Sequence, residues 1–131
     1  MVDKQRCEHW EEKDMKEMIL IIRPEKLEIL KDILDGFQTG GMTISSVMGC
    51  GTQRGFTGEN SVNQIKGFKT TINLLPKIRV EVVVRNELVE EIITEVRDRM
   101  ATNHVGDGKI FIRSIDDAVR IRTGERGESA L

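Results

Sequence analysis

An α+β domain with the element order β-α-β-β-α-β is what this sequence predicts, and three observations predict it. Four short runs, "MKEMILIIRP", "MTISSVM", "KIRVEVVV" and "KIFIRSI", are rich in the β-branched and apolar residues that suit strands. Two amphipathic stripes with helical spacing, one after the first run and one after the third, separate them. Between the second and third runs lies "GTQRGFTGENSVNQIKGFKTTINLLPK", a connection of roughly twenty residues where a hairpin turn needs two to five. Connections of that length are functional or disordered segments.

The elements follow in order. Ile19, Leu20, Ile21 and Ile22 form a continuous apolar run, as expected of a strand buried on both faces. Pro24 then stands at a favourable first-turn position for a helix. Leu27, Leu30, Leu34 and Phe37 recur at helical spacing with charges between them. Gly40 and Gly41 are expected to stop that helix, because glycine accepts the left-handed backbone of a helix end. "MTISSVM" alternates toward a second strand. In "KIRVEVVV", Ile78, Val80, Val82 and Val84 fall on one face. Asn86 is the expected N-cap of the second helix, and Glu87, Glu90 and Glu91 suit the positive end of its dipole. Leu88, Val89, Ile92, Ile93, Val96 and Met100 make its apolar stripe. "KIFIRSI" closes the domain, and the polar tail "RIRTGERGESAL" follows. This is the split-βαβ, ferredoxin-like sandwich: an antiparallel sheet with two helices on one face. The other face then needs a cover, and an exposed apolar strand face points to a partner.

Bulk properties bound the function. A chain of 131 residues suits one domain with one core. A net charge of −2 gives no reason to expect nucleic acid as a partner. No apolar run approaches the ~18 residues of a membrane span, and "MVDKQRCEHWEEKD" has no apolar signal core. The expected location is cytoplasmic, without direct membrane insertion. Residues 1–14 read as a flexible charged arm, with Trp10 as a docking side chain, and residues 15–131 as the folded domain. Cys7 and Cys50 make no disulfide framework. Cys7 and His9 would supply half of a metal site, but His104 is far along the chain and no cluster completes four ligands.

Chemistry concentrates at two places. In "HVGDGKIF", Gly106 and Gly108 bare the backbone so that N–H groups can approach an anion, and Lys109 adds a positive charge. A plain glycine-rich turn before a strand is the competing reading, and the "GxxxxGK[ST]" spacing of a P-loop is absent. Arg120 and Arg122, two residues apart, would project to one side of an extended segment and offer paired hydrogen bonds to phosphate. Two solvated surface arginines would look the same. Asp107, Asp116 and Asp117 read as turn caps rather than a metal cluster. No enzyme signature emerges. There is no "HExxH", and Ser45, Ser46, Ser61, Ser114 and Ser129 have no histidine partner by spacing, since His9 and His104 are isolated.

Taken together, "GMTISSVMGCGTQRGFT", "LLPKIRVEVVV", "VGDGKIFI" and "RIRTGERGESAL" resemble the nitrogen-regulatory PII signal-transduction proteins, in the expected order from about Met15 to Leu131. The resemblance implies a homotrimer with clefts between subunits that bind ATP or ADP. Gly106, Asp107, Gly108 and Lys109, in a phosphate loop over 102–109, match the family's phosphate-binding positions. So do Arg120 and Arg122, in a C-terminal loop over 119–131 of a neighbouring subunit. Thr43, Gly51, Thr52 and Val83 match positions around the adenosine. The resemblance further implies 2-oxoglutarate beside the nucleotide, with Mg2+ held by ligand oxygens and Gln53. Gly51, Arg54 and Gly55 form the base of the effector site, and Lys77 faces the distal carboxylate. The long connection, 51–72, corresponds to the T-loop that contacts target proteins.

Two departures stand out. "GENSV" lengthens the loop, and the chain has no tyrosine, so Thr70 stands where many relatives carry the uridylylated tyrosine. Phe68 stands where some relatives carry a phosphorylated serine, and Ser61 reads as a solvated loop residue. The resemblance leaves the target open among an ammonium transporter, glutamine synthetase, nitrogenase and a transcription factor. Two rival functions remain: a trimer of this type sensing another small molecule or regulating carbon uptake, and an enzyme transferring phosphate.

Overall fold

The computed structural model describes residues 14–51, 63–65, 68–70 and 73–131. Strand β1 (Met15–Ile22) leads through a 3-10 turn at Pro24–Lys26 into helix α1 (Leu27–Gly36). Next come β2 (Thr43–Gly51), the short strands β3 (Asn63–Ile65) and β4 (Phe68–Thr70), and the long β5 (Asn73–Arg85). A 3-10 turn at Asn86–Leu88 enters α2 (Val89–Met100), and β6 (Gly108–Ile115) completes the sheet. The order β2-β5-β1-β6, antiparallel throughout, is the predicted ferredoxin-like arrangement.

Alternation along the inner strands builds the core. Met18, Leu20 and Ile22 of β1 and Val80, Val82 and Val84 of β5 share one face, and they cluster with Leu30, Ile33 and Leu34 of α1 and Val89, Ile92, Val96 and Met100 of α2. Fully burying a side chain of this kind stabilises a fold by about 1.5–3 kcal/mol, so this cluster dominates the favourable energetics. β1 sits between β5 and β6. Its apolar run is accordingly buried toward the helices, while on the opposite face Ile19 is buried and Ile21 half-buried.

Several boundaries differ from expectation. Helix α1 stops at Gly36, short of Gly40 and Gly41. The amides of Phe37 and Gln38 fold back onto the carbonyls of Leu34 and Asp35, each at 3.1 Å, and Gln38 itself takes φ +54. Phe37 therefore lies just beyond the helix yet still packs on the core. Asn86 does not cap α2: that helix begins at Val89 without a side-chain cap, and the Asn86 amide donates to the Asp14 carbonyl at 2.8 Å. The 3-10 turn satisfies the backbone that a cap would otherwise serve. The β2–β5 ladder runs on to Gly51 opposite Asn73, because pairing needs only backbone groups. Within the long connection, β3 and β4 form a small hairpin where an unbroken loop was expected. The tail is also structured, with a Val119–Arg126 bridge and a 3-10 turn at Gly127–Ala130. Among the described residues, no helix is long and apolar enough to cross a membrane. The expected arm, with Cys7, His9 and Trp10, lies outside the described residues apart from Asp14.

Candidate functional site

The helix-free face of the sheet gathers four of the expected binding residues. Residues opposed across an antiparallel ladder project to the same side, and successive residues to opposite sides. Since Val80, Val82 and Val84 face the helices, Lys77 and Val83 face away. Thr43 opposes Glu81, and Lys109 opposes Ile21, which itself opposes Arg79, so both share that face.

The glycine loop sits at one end of this face. Gly108 opens β6 opposite Ile22 with φ +114, and a Cβ there would lie 2.0 Å from the Ile21 carbonyl oxygen. Only glycine lets β6 come this close to β1. Gly106 has φ +98, and its carbonyl accepts from Lys77 Nζ at 2.7 Å and from Arg23 Nε at 3.0 Å. Arg23 Nη2 also reaches the Val105 carbonyl at 2.7 Å. Three cations, Arg23, Lys77 and Lys109, thus meet around one loop. Arg23 was not anticipated. It follows directly on β1, whose last residue pairs with Gly108, so only knowledge of the strand order would have revealed it.

Asp107 turns inward on its own loop. Its carboxylate accepts from the Thr102 hydroxyl, from the Thr102 amide at 2.8 Å and from the Asn103 amide at 3.1 Å. The Thr102 hydroxyl above all, then the Thr102 amide, hold the carboxyl below the usual aspartate value. Asp117 behaves alike, held low chiefly by Arg126 and then by the Ala118 amide. Both acids serve turns, and among the described residues no group of three His, Cys, Asp or Glu side chains is arranged for a metal.

Two clefts open nearby. One of about 270 Å³ lies between Gly49 and Cys50 of β2, Lys77, and Gly106, Gly108 and Lys109. The other, about 260 Å³, is lined by Thr43 and Val83, the carboxylates of Glu17 and Glu81, and Leu131. Arg120 donates to the Leu131 carbonyl at 2.9 Å and pairs with Glu125 at 3.3 Å. Arg122 is exposed in a turn at 121–123, so the extended spacing expected of the two arginines is replaced by a bend around Ile121. None of the hydrogen bonds or ion pairs described for Arg120 reaches the 106–109 loop of the same chain. Gly51 ends β2, whereas Thr52, Gln53, Arg54 and Gly55 lie outside the described residues.

A family model described as nitrogen regulatory protein P-II matches residues 15–125. This chain belongs to the P-II family. It is 44% identical over 117 residues to nitrogen regulatory protein P-II 2 of Methanothermobacter thermautotrophicus, covering 89% of this chain and 97% of that protein. It is 42% identical over 122 residues to the nitrogen fixation nifHD1 region GlnB-like protein 2 of Methanosarcina barkeri, covering 89% and 99%. Among solved structures, the B. subtilis GlnK–ATP complex superposes with a TM-score of 0.73 at 29% identity, covering 91% of this chain and 97% of that one. Arabidopsis thaliana PII bound to citrate gives 0.69 at 28%, covering 91% and 94%. The P-II relatives carry the names of regulatory proteins rather than enzymes.

Proposed function

We propose that this P-II protein is a cytoplasmic, homotrimeric sensor of ATP or ADP and of 2-oxoglutarate that controls nitrogen metabolism by binding target proteins through its T-loop, residues 51–72. The observation that carries the reading is the 2.7 Å bond from Lys77 to the Gly106 carbonyl. It joins the strand returning from the long connection to the glycine loop, so a ligand at one is felt at the other. The GlnK complex with ATP and the plant relative with citrate, a polycarboxylate like 2-oxoglutarate, lend support.

In this reading, Gly106, Asp107, Gly108 and Lys109 of the phosphate loop (102–109) take the phosphates with Arg120 and Arg122 from the C-terminal loop (119–131) of a neighbouring subunit. Thr43, Gly51, Thr52 and Val83 surround the adenosine. Lys109 supplies the cation a phosphate needs, and the two positive-φ glycines clear space for it. Asp107 contributes its backbone, its carboxylate being engaged by Thr102 and Asn103. Mg2+ would draw most of its six oxygens from the ligands, with Gln53 adding one, which suits a described region without an acidic trio. Lys77 would exchange the Gly106 carbonyl for the distal carboxylate of 2-oxoglutarate, with Gly51, Gln53, Arg54 and Gly55 completing that site. Such an exchange biases the loop because the two partners favour different conformers. Exposed Phe111 and half-exposed Leu75 on the helix-free face suit burial between copies of the chain. With Thr70 in place of tyrosine, signalling proceeds without uridylylation.

Titration calorimetry with Mg-ATP, with and without 2-oxoglutarate, tests the reading. Nucleotide binding strengthened by 2-oxoglutarate is expected. No nucleotide binding at about millimolar ligand, roughly −4 kcal/mol, rejects the sensor. Steady phosphate release would instead favour a phosphate-transferring enzyme.

A further inference from the structure

We propose that Asp117, through Arg126, is a positioning residue that presents the Arg120–Arg122 turn ready-made to the nucleotide; the inference rests on the nucleotide-sensing reading. Asp117 follows closely on β6, which ends at Ile115. One of its oxygens accepts from Arg126 Nε at 2.9 Å and Nη2 at 2.5 Å. The other accepts from the amides of Ala118 at 2.8 Å and Gly127 at 3.2 Å. A single carboxylate therefore ties together both ends of the segment 118–127.

Inside that tie the backbone closes on itself. The Gly127 amide donates to the Ala118 carbonyl at 2.9 Å, Val119 bridges Arg126, and the Arg120 amide donates to the Glu125 carbonyl at 2.9 Å. The Gly124 amide returns to the Arg120 carbonyl at 2.7 Å. The result is a miniature hairpin with Arg120 and Arg122 toward its far end and Ile121 fully exposed at the tip. A lone hairpin of this size is marginal in water. The link from the end of β6 through Asp117 to Arg126 and Gly127 is what holds it closed. Binding by a turn already ordered avoids the entropy of immobilising two long arginines at the moment of association. Asp117 makes this contribution without touching the ligand.

The test uses the full chain and Mg-ATP, with affinity and its enthalpy measured by calorimetry. Asp117→Ala should weaken binding about tenfold, with the loss mainly in the entropy of binding. Asp117→Asn, which keeps an acceptor for the two amides, should recover part of it. In an Arg120→Ala/Arg122→Ala background, Asp117→Ala should cost less than about twofold, because the contacts it positions are already gone. A purely structural role would lower the unfolding midpoint and give additive affinity losses. Parent-like affinity in Asp117→Ala, or additivity with the Arg120→Ala/Arg122→Ala pair, overturns this inference alone. A parent chain that binds no nucleotide overturns the sensing reading and this inference with it.

Discussion

Replacing Gly108 by alanine is the sharpest perturbation the geometry offers. The new methyl carbon would sit 2.0 Å from the Ile21 carbonyl oxygen, at a backbone φ of +114. Carbon–oxygen contacts are comfortable from about 3.3 Å, so β6 must withdraw from β1 by more than an ångström. The pairs Gly108–Ile22 and Lys109–Ile21 then open. Backbone strain costs about 1–3 kcal/mol and forced overpacking about 1–3 kcal/mol, together about 2–6 kcal/mol. That is a large share of the ~5–15 kcal/mol that holds a domain folded. Urea unfolding followed by far-ultraviolet circular dichroism reads the loss. Gly41→Ala is the control, since nothing lies within 4 Å of its Cβ and its φ is not positive. If Gly108→Ala unfolds at the same urea concentration as Gly41→Ala, the argument from close strand approach is wrong.

The remaining predictions concern the same end of the sheet. Arg23→Ala removes the donor to Val105 and one of the two donors to Gly106, and should loosen the 102–108 loop by about 1–3 kcal/mol. Hydrogen exchange there should quicken while core amides stay protected, and an unchanged loop would refute the role. If Lys77 faces the distal carboxylate as proposed, Lys77→Ala should weaken 2-oxoglutarate binding by about tenfold or more while changing ATP binding less. Calorimetry showing equal losses for both ligands would reject that division of labour. Asp107 has a depressed pKa in the folded chain, so its contribution is complete above the ordinary carboxylate range and is lost as pH falls through its own lower value. Asp107→Asn should therefore flatten the acid limb of the stability profile below the ordinary carboxylate range, and an unchanged limb would contradict the cap.

The core and its order of elements were legible because they rest on periodicity. The period-two run of Ile78, Val80, Val82 and Val84 and the helical stripe ending at Met100 each state which face is buried. Boundaries were less legible. The stop of α1 at Gly36 depends on Gln38 accepting a positive φ, although Gly40 and Gly41 looked better suited. The start of α2 depends on a 3-10 turn taking the place of the Asn86 cap. Ile33 was absent from the expected stripe, although it packs in the core beside Leu34.

The sequence by itself determined the two-layer architecture, the core faces and the positions that resemble the P-II nucleotide and effector sites. Each of these depends on local spacing or on motif order along the chain. Only the tertiary structure decided that Arg23 and Lys77 converge on the Gly106 carbonyl, that Asp107 and Asp117 are committed to turns, and that Arg120 and Arg122 sit on a closed bend. Those contacts join residues up to 83 positions apart. They follow from the β2-β5-β1-β6 strand order and from backbone groups seeking partners, which leave no periodic mark on the sequence.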